Sequence, residues 1–194
     1  MGLPELAARV VRLLLSPATE WDAIVGEPAD ARALYLNHAL PLVLTAALAA
    51  ALGMTIVGVG GQTVRIGYAL TAVLVWVLLQ LAAVYLFAFA LNALAPRFGA
   101  GRNMGNALKT AIYAPTASWV AGLLLVVPSL SVLVFLGSIY SLYLLHVGLP
   151  KLMGPAPDKA TSYSVTAIGV AIILYTGVEI VSGSAMPAVT PMMR

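Results

Sequence analysis

The chain has 194 residues, 61% of them hydrophobic and only 9% charged, with a net charge of +3 and a mean hydropathy of +0.99. A soluble domain carries about 25% charged residues, so this chain cannot cover itself with polar surface and takes lipid as its solvent. Its basic residues are scattered singly, which excludes a nucleic-acid patch, and the absence of cysteine excludes disulfides, thiolate metal sites and cysteine nucleophiles.

Residues 1–35 read as a cytoplasmic amphipathic segment. Leu3, Leu6, Ala7, Val10, Leu13 and Leu14 follow helical spacing, with Glu5, Arg9 and Arg12 on the other face. Such a helix can lie in the membrane interface with its basic side toward anionic headgroups; the alternative is that it packs under the bundle. The apolar run after Arg12 is only Leu13-Leu14-Leu15, and no small-residue cleavage site follows Ser16-Pro17, so no cleavable signal peptide is expected. A second short helix is expected over 17–25, with Ser16 as cap, Pro17 at its first position and Glu20 near its N-terminus. Trp21 is expected to anchor it at headgroup level.

Five apolar stretches follow: Leu36–Val59, Ile66–Leu94, Ala107–Val127, Ser129–Leu149 and Ser162–Ser182. Crossing a hydrocarbon core of about 30 Å takes about 20 residues, and each stretch reaches that length. The predicted fold is all-α: a polytopic membrane protein whose residues 36–182 form a bundle of five transmembrane helices, preceded by the short interfacial helix and followed by a short outer tail, 183–194. A tight outer turn is expected over 58–62, and Pro128-Ser129 joins the third and fourth spans as an antiparallel hairpin. With the N-terminus in the cytoplasm, Arg9, Arg12, Arg32, Arg97, Arg102, Lys109, Lys151 and Lys159 fall inside, and only Arg65 and Arg194 fall outside. The positive-inside rule then places the N-terminus in and the C-terminus out.

Pro41 and Pro115 lie within spans and each removes a helix hydrogen bond, so both are expected kinks, serving packing or a hinge. Small residues recur at contact spacing (Ala46/Ala50, Ala49/Gly53, Gly137/Ser141), which lets backbones approach where no hydrophobic drive exists.

Few residues carry chemistry. Glu179 is the one acid within a span. It reads as a proton or cation site, or as an interfacial carboxylate that snorkels or pairs with Arg65; the second suits its place near the span's end. His38 and His146 fall near the same ends of the first and fourth spans and are candidate metal or pH-sensing groups. Two imidazoles without a third ligand favour interfacial hydrogen bonding instead. Ser138 and His146 are eight residues apart on one helix, about 12 Å along the axis, and no Gly-x-Ser-x-Gly elbow exists, so no serine hydrolase and no enzyme is expected. Tyr140, Tyr143 and His146 lie on one stripe, facing Tyr113 or Tyr163 in an expected aromatic seam. Gln80 and Asn92 are expected to join helices through hydrogen bonds.

The order of these features resembles the Yip family, small integral membrane proteins named for interaction with Ypt/Rab GTPases. The resemblance starts at Leu15-Ser16-Pro17-Ala18-Thr19-Glu20-Trp21-Asp22-Ala23-Ile24, like the family's pre-membrane segment, and passes through Tyr35 and Pro41. It continues with Ala107-Leu108-Lys109-Thr110-Ala111-Ile112-Tyr113-Ala114-Pro115 at the third span, then Ile139-Tyr140-Ser141-Leu142-Tyr143 in the fourth, and Lys159-Ala160 before the last. It implies five spans with a cytoplasmic N-terminus, and for eukaryotic members a role in vesicle traffic and membrane shaping. The long hydrophilic N-terminal region of those members and an Asp-Leu-Tyr-Gly-Pro-like motif are lacking. The Ala/Val/Leu/Arg-rich, lysine-poor composition looks like that of a high-GC bacterium, where no Rab partner is expected. The expected function is a non-enzymatic Yip-family protein of a bacterial inner membrane that organises membrane or partner proteins, with lipid, other membrane proteins or itself as partner and no cofactor. The alternatives are a small transporter or channel for protons, metal or small solutes, and an accessory subunit of a larger membrane complex. Arg9, Arg12 and Trp21 are the expected interface residues, and Tyr113, Pro115, Tyr140 and Tyr143 the expected seam.

Overall fold

A computed structural model describes residues 2–58 and 62–184, Ser184 by its backbone alone. Most of the expected outer turn, the last residue of the first expected span and nearly all of the expected outer tail lie outside the described residues. The described chain is helical. Two short helices, α1 (Leu3–Leu15) and α2 (Pro17–Val25), lead into α3 (Ala31–Val57) and α4 (Ile66–Leu94), the latter extended by a 3-10 turn over Ala95–Phe98. Then come α5 (Met104–Tyr113), α6 (Thr116–Gly122), α7 (Ser131–Met153) and α8 (Ala160–Ser184).

Four helical stretches are long and apolar enough to cross a membrane: Ala31–Val57, Ile66–Phe98, Pro128–Met153 and Pro157–Gly183. Between 22% and 33% of each apolar window is buried inside the protein. The rest faces outward with side chains such as Leu48, Leu74, Phe89, Phe135 and Ile173, a surface that only lipid accommodates.

The third expected span differs. Ala107–Val127 is no continuous helix: it breaks at Ala114-Pro115 into α5 and α6, and then tightens into a 3-10 turn over Leu123–Val126. Proline lacks the N–H that would continue the ladder and its ring displaces the preceding turn. The break is satisfied locally. The Thr116 hydroxyl donates to the Tyr113 carbonyl at 2.7 Å, and the Ser118 N–H donates to the Ser141 hydroxyl of α7 at 2.9 Å. Ser141→Ala leaves that N–H unpaired in a nearly closed contact and is expected to cost about 1–2 kcal/mol, read as a lower unfolding midpoint in detergent. Pro41 is absorbed differently. It follows a wide π-type turn over Tyr35–Ala39, which relaxes the ladder where the ring would otherwise meet a carbonyl.

The helices alternate in direction. α4 packs on α3, α5 and α8, while α7 packs on α2, α5, α6 and α8. The bundle thus has a near end, carrying α1, α2 and the links at 95–103 and 154–159, and a far end at residues 62–65 and the link 127–130. Close approach is set by glycine. A Cβ on Gly53 would overlap the Leu125 carbonyl, and one on Gly148 would overlap the Trp21 ring.

Candidate functional site

The near end is a clamp. The Arg9 guanidinium forks onto Glu27, Nη1 to Oε2 at 2.8 Å and Nη2 to Oε1 at 2.5 Å, and also donates to the Tyr113 hydroxyl at 3.3 Å. Its Cζ lies 5.4 Å from the Tyr113 ring centroid, within cation–π range. Arg12 Nε donates to Glu20 at 2.6 Å. Burial works against the Arg9 charge, but the Glu27 hydrogen bond and the fields of Tyr113, Glu27 and Glu20 outweigh it, so its pKa rises above the ordinary arginine value. The Glu20 hydrogen bond raises that of Arg12. Neither base titrates in the physiological range.

Lys109, buried at 2% exposure, reaches up from α5. Its ammonium donates to the carbonyls of Ile24 at 2.9 Å and Val25 at 3.4 Å, and to that of Glu27. The carbonyls of Ile24, which also accepts the Glu27 N–H, and Val25 end α2, where a cation meets the helix dipole, and that of Glu27 lies two residues beyond. On the other flank, Lys151 donates to Asp22 at 2.6 Å and to the Ala18 carbonyl at 2.8 Å, and the Tyr140 hydroxyl donates to the Leu14 carbonyl at 2.7 Å.

Trp21, expected as an anchor at headgroup level, is fully buried against Gly148 and edge-on to Tyr113, with ring centroids 6.2 Å apart. Tyr113 in turn packs on His38, centroids 4.6 Å apart. His38 is 1% exposed and bonds Thr116 through Nε2 at 2.9 Å. Because the Thr116 proton is committed to the Tyr113 carbonyl, its oxygen accepts from Nε2–H, which places a proton on Nε2. Nδ1 finds no hydrogen-bond partner.

The two histidines are not alike. His146 is exposed on α7 while His38 is enclosed by Tyr113 and Thr116. Among the described residues, no three His, Cys, Asp or Glu side chains form a metal-holding group. The expected seam is divided as well. Tyr140 and Tyr143 adjoin with centroids 5.4 Å apart and turn toward α1 and the surface, whereas Tyr113 belongs to the Trp21–His38 cluster. Tyr163 bonds the Leu91 carbonyl at 2.6 Å and stacks on Phe98.

The far half holds a cavity of about 820 Å³, open at its rim, between α3, α4, α6, α7 and α8. Its walls are mainly apolar, with Ala46, Ala50, Val73, Phe135 and Leu142 among them. Polar groups line up across the α4–α8 seam. Trp76 Nε1 donates to Glu179 at 3.0 Å, and one turn deeper lie Gln80 and Tyr175. Gln80 Oε1 and the Tyr175 hydroxyl are buried without a partner. Glu179 therefore pairs with Trp76, and among the described residues no ion pair joins it to Arg65, which sits at the start of α4. The cavity does not run through the bundle. Below Phe87, Pro115 and Leu145 the core closes with Leu91, Ile112, Leu149 and Tyr163, all 0% exposed.

A family model described as the Yip1 domain matches residues 11–178, a stretch that includes α2, the clamp's lysines, the break at Pro115 and all but the end of α8. The chain belongs to the Yip1-domain family. No curated protein and no solved structure matches it. It is thus an integral membrane protein of the Yip family, and its clamp and its cavity are features of a Yip1 domain.

Several members of these sites were not legible as such. Lys109 counted as one more inside charge, though its place one turn into an apolar span was a signal that it needed partners. Glu27, Thr116 and Trp76 gave no signal, because their partners come from other helices.

Proposed function

We propose that this Yip1-domain protein is non-enzymatic and organises or shapes the bilayer, with α1 as the acting element. What carries the reading is the outer face of α1. Leu6, Val10 and Leu13 face the bundle, while Leu3 and Leu15, more than three-quarters exposed, form with Ala7 and Val11 a second apolar stripe beside that face. Arg9 and Arg12 are neutralised by Glu27 and Glu20, so the stripe and not a basic face meets lipid. A helix seated at the acyl boundary of one leaflet expands that leaflet, and the clamp keeps it seated.

In this reading α5 and α6 together make a third crossing, giving five spans with a cytoplasmic N-terminus and the C-terminus outside, in a bacterial inner membrane. The antiparallel neighbours on both sides of Met104–Val126 support that count. Arg9, Arg12 and Trp21 then sit at the level of the inner headgroups, and other copies or other membrane proteins meet the outward helix faces. The triple variant Leu3→Ser, Val11→Ser, Leu15→Ser tests the role of α1 in reconstituted full-length protein. The expected result is that wild-type protein shifts vesicles toward smaller diameter by light scattering and the variant does not. Equal vesicle sizes with and without wild-type protein would overturn the reading.

A transporter or channel draws on the cavity. The close-packed layer at Leu91, Ile112, Leu149 and Tyr163 stands against a continuous path, and His38 and His146 lie away from the cavity wall. Reproducible recovery of one membrane-protein partner from native membranes would instead favour an accessory subunit.

A further inference from the structure

We infer that the far-half cavity is a binding site for an amphiphile, seating an alkyl chain along its apolar wall and an ammonium head at Glu179. The cavity falls within the usual size of small-molecule sites, about 300–1,000 Å³, and its wall is built of alanine, valine, leucine and aromatic carbon. An apolar chain fills such a space without desolvation cost. The polar groups then select the head. Ser118, Ser138 and Ser182 spend their protons on backbone carbonyls, and the Ser141 hydroxyl accepts the Ser118 N–H. Glu179 is the one charged side chain on the cavity wall. Its carboxylate receives only Trp76, and among the described residues it forms no ion pair. Gln80 and Tyr175 lie one turn deeper, with Oε1 and the hydroxyl oxygen enclosed and without a partner. An ionised carboxylate accepts only, so it calls for a donor on the ligand. A donor-bearing cation is its complement, and an ammonium supplies three donors. An anionic or purely alkyl ligand would leave Glu179 unmatched.

The ammonium amphiphile has two sources, an amine-headed bilayer lipid or a free long-chain amine. The wall's own tryptophans, Trp76 and Trp119, report on both. Full-length Trp21→Phe protein is reconstituted in phosphatidylcholine vesicles containing a fixed fraction of chain-brominated phosphatidylethanolamine or chain-brominated phosphatidylglycerol, and tryptophan quenching is read. The expected result is deeper quenching by the ethanolamine lipid. That preference should weaken on the order of tenfold in Glu179→Gln, as expected for a lost charged hydrogen bond, and vanish in Ala50→Phe, which fills the wall without touching the charge. A parallel titration with dodecylamine displaces the brominated lipid if the site takes the free amine as well. No preference in vesicles, together with dodecylamine binding that Glu179→Gln removes, assigns the same chemistry to a free amine. Equal quenching by both lipids and no dodecylamine effect would overturn the inference. None of these readouts depends on α1 or on vesicle shape, so the site stands or falls apart from the role proposed for α1.

Discussion

Trp21→Ala is expected to lower the stability of the protein by about 3 kcal/mol, the low end for deleting a buried large aromatic side chain. The low end applies because the indole N–H of Trp21 has no acceptor, so part of what burial gains is already offset. The loss has a location. Trp21 joins α2 to Gly148 of α7 and to Tyr113 of α5, so its removal should free α1 and α2 before the rest of the bundle. Limited proteolysis in mild detergent should then cut near residue 26 much faster than in wild type, while the remaining fragment stays folded. Gly148→Ala approaches the same contact from the other side. The added methyl overlaps a ring that is 0% exposed and is expected to cost about 1–3 kcal/mol by overpacking. The two changes should not add: Gly148→Ala in a Trp21→Ala background should be close to neutral. A full additional loss in the double variant would mean that Gly148 matters for another reason.

Lys109→Met is expected to be the second severe change, at about 3 kcal/mol. Methionine keeps the apolar stem but removes an ammonium that serves the carbonyls of Ile24, Val25 and Glu27. Hydrogen bonds to charged groups are worth about 1.5–3 kcal/mol each, and the carbonyls left behind at a helix end regain water only if α2 lifts away. Lys109→Arg should recover little, because a planar fork does not match acceptors converging on one point. Both are read by denaturant titration in detergent. Full stability in Lys109→Met would show that the α2 carbonyls find other partners.

Hydropathy made the long helices legible, because their outward faces meet lipid and tolerate nothing else. Ile66–Leu94 has the bounds its apolar run predicts, and Pro17 does open α2. The third apolar run was as long as the fourth and fifth, yet it breaks. Pro115 announced a bend, but whether a proline bends or divides a helix depends on what accepts the freed groups. Here the Thr116 hydroxyl donates to the Tyr113 carbonyl, and the Ser141 hydroxyl of another helix accepts the Ser118 N–H. The side-chain partners were the least legible. Arg9 and Glu27 are 18 residues apart with a turn between them, so no helical periodicity relates them. Glu179 had Arg65 as the obvious countercharge, and the fold offered Trp76 instead, one helix away at the same depth. Tyr140 and Tyr143 do share a stripe, but what that stripe faces was set by where α1 docks.

The placement of Lys109 bears on how the membrane accepts this chain. A lysine in an inserting helix costs up to about 2.5–3.5 kcal/mol at its centre and less toward its end, and α5 is short and also carries Asn106 and Thr110. The segment Met104–Val126 therefore gains little by entering lipid on its own. The carbonyls that take up the Lys109 charge lie 82 to 85 residues upstream, so they leave the ribosome well before it does. By the time Lys109 emerges, α2 and the first two long helices are already made and can present those carbonyls as a waiting socket. Order of synthesis thus supplies what hydropathy lacks: this segment docks onto protein that is already made rather than relying on its own preference for lipid.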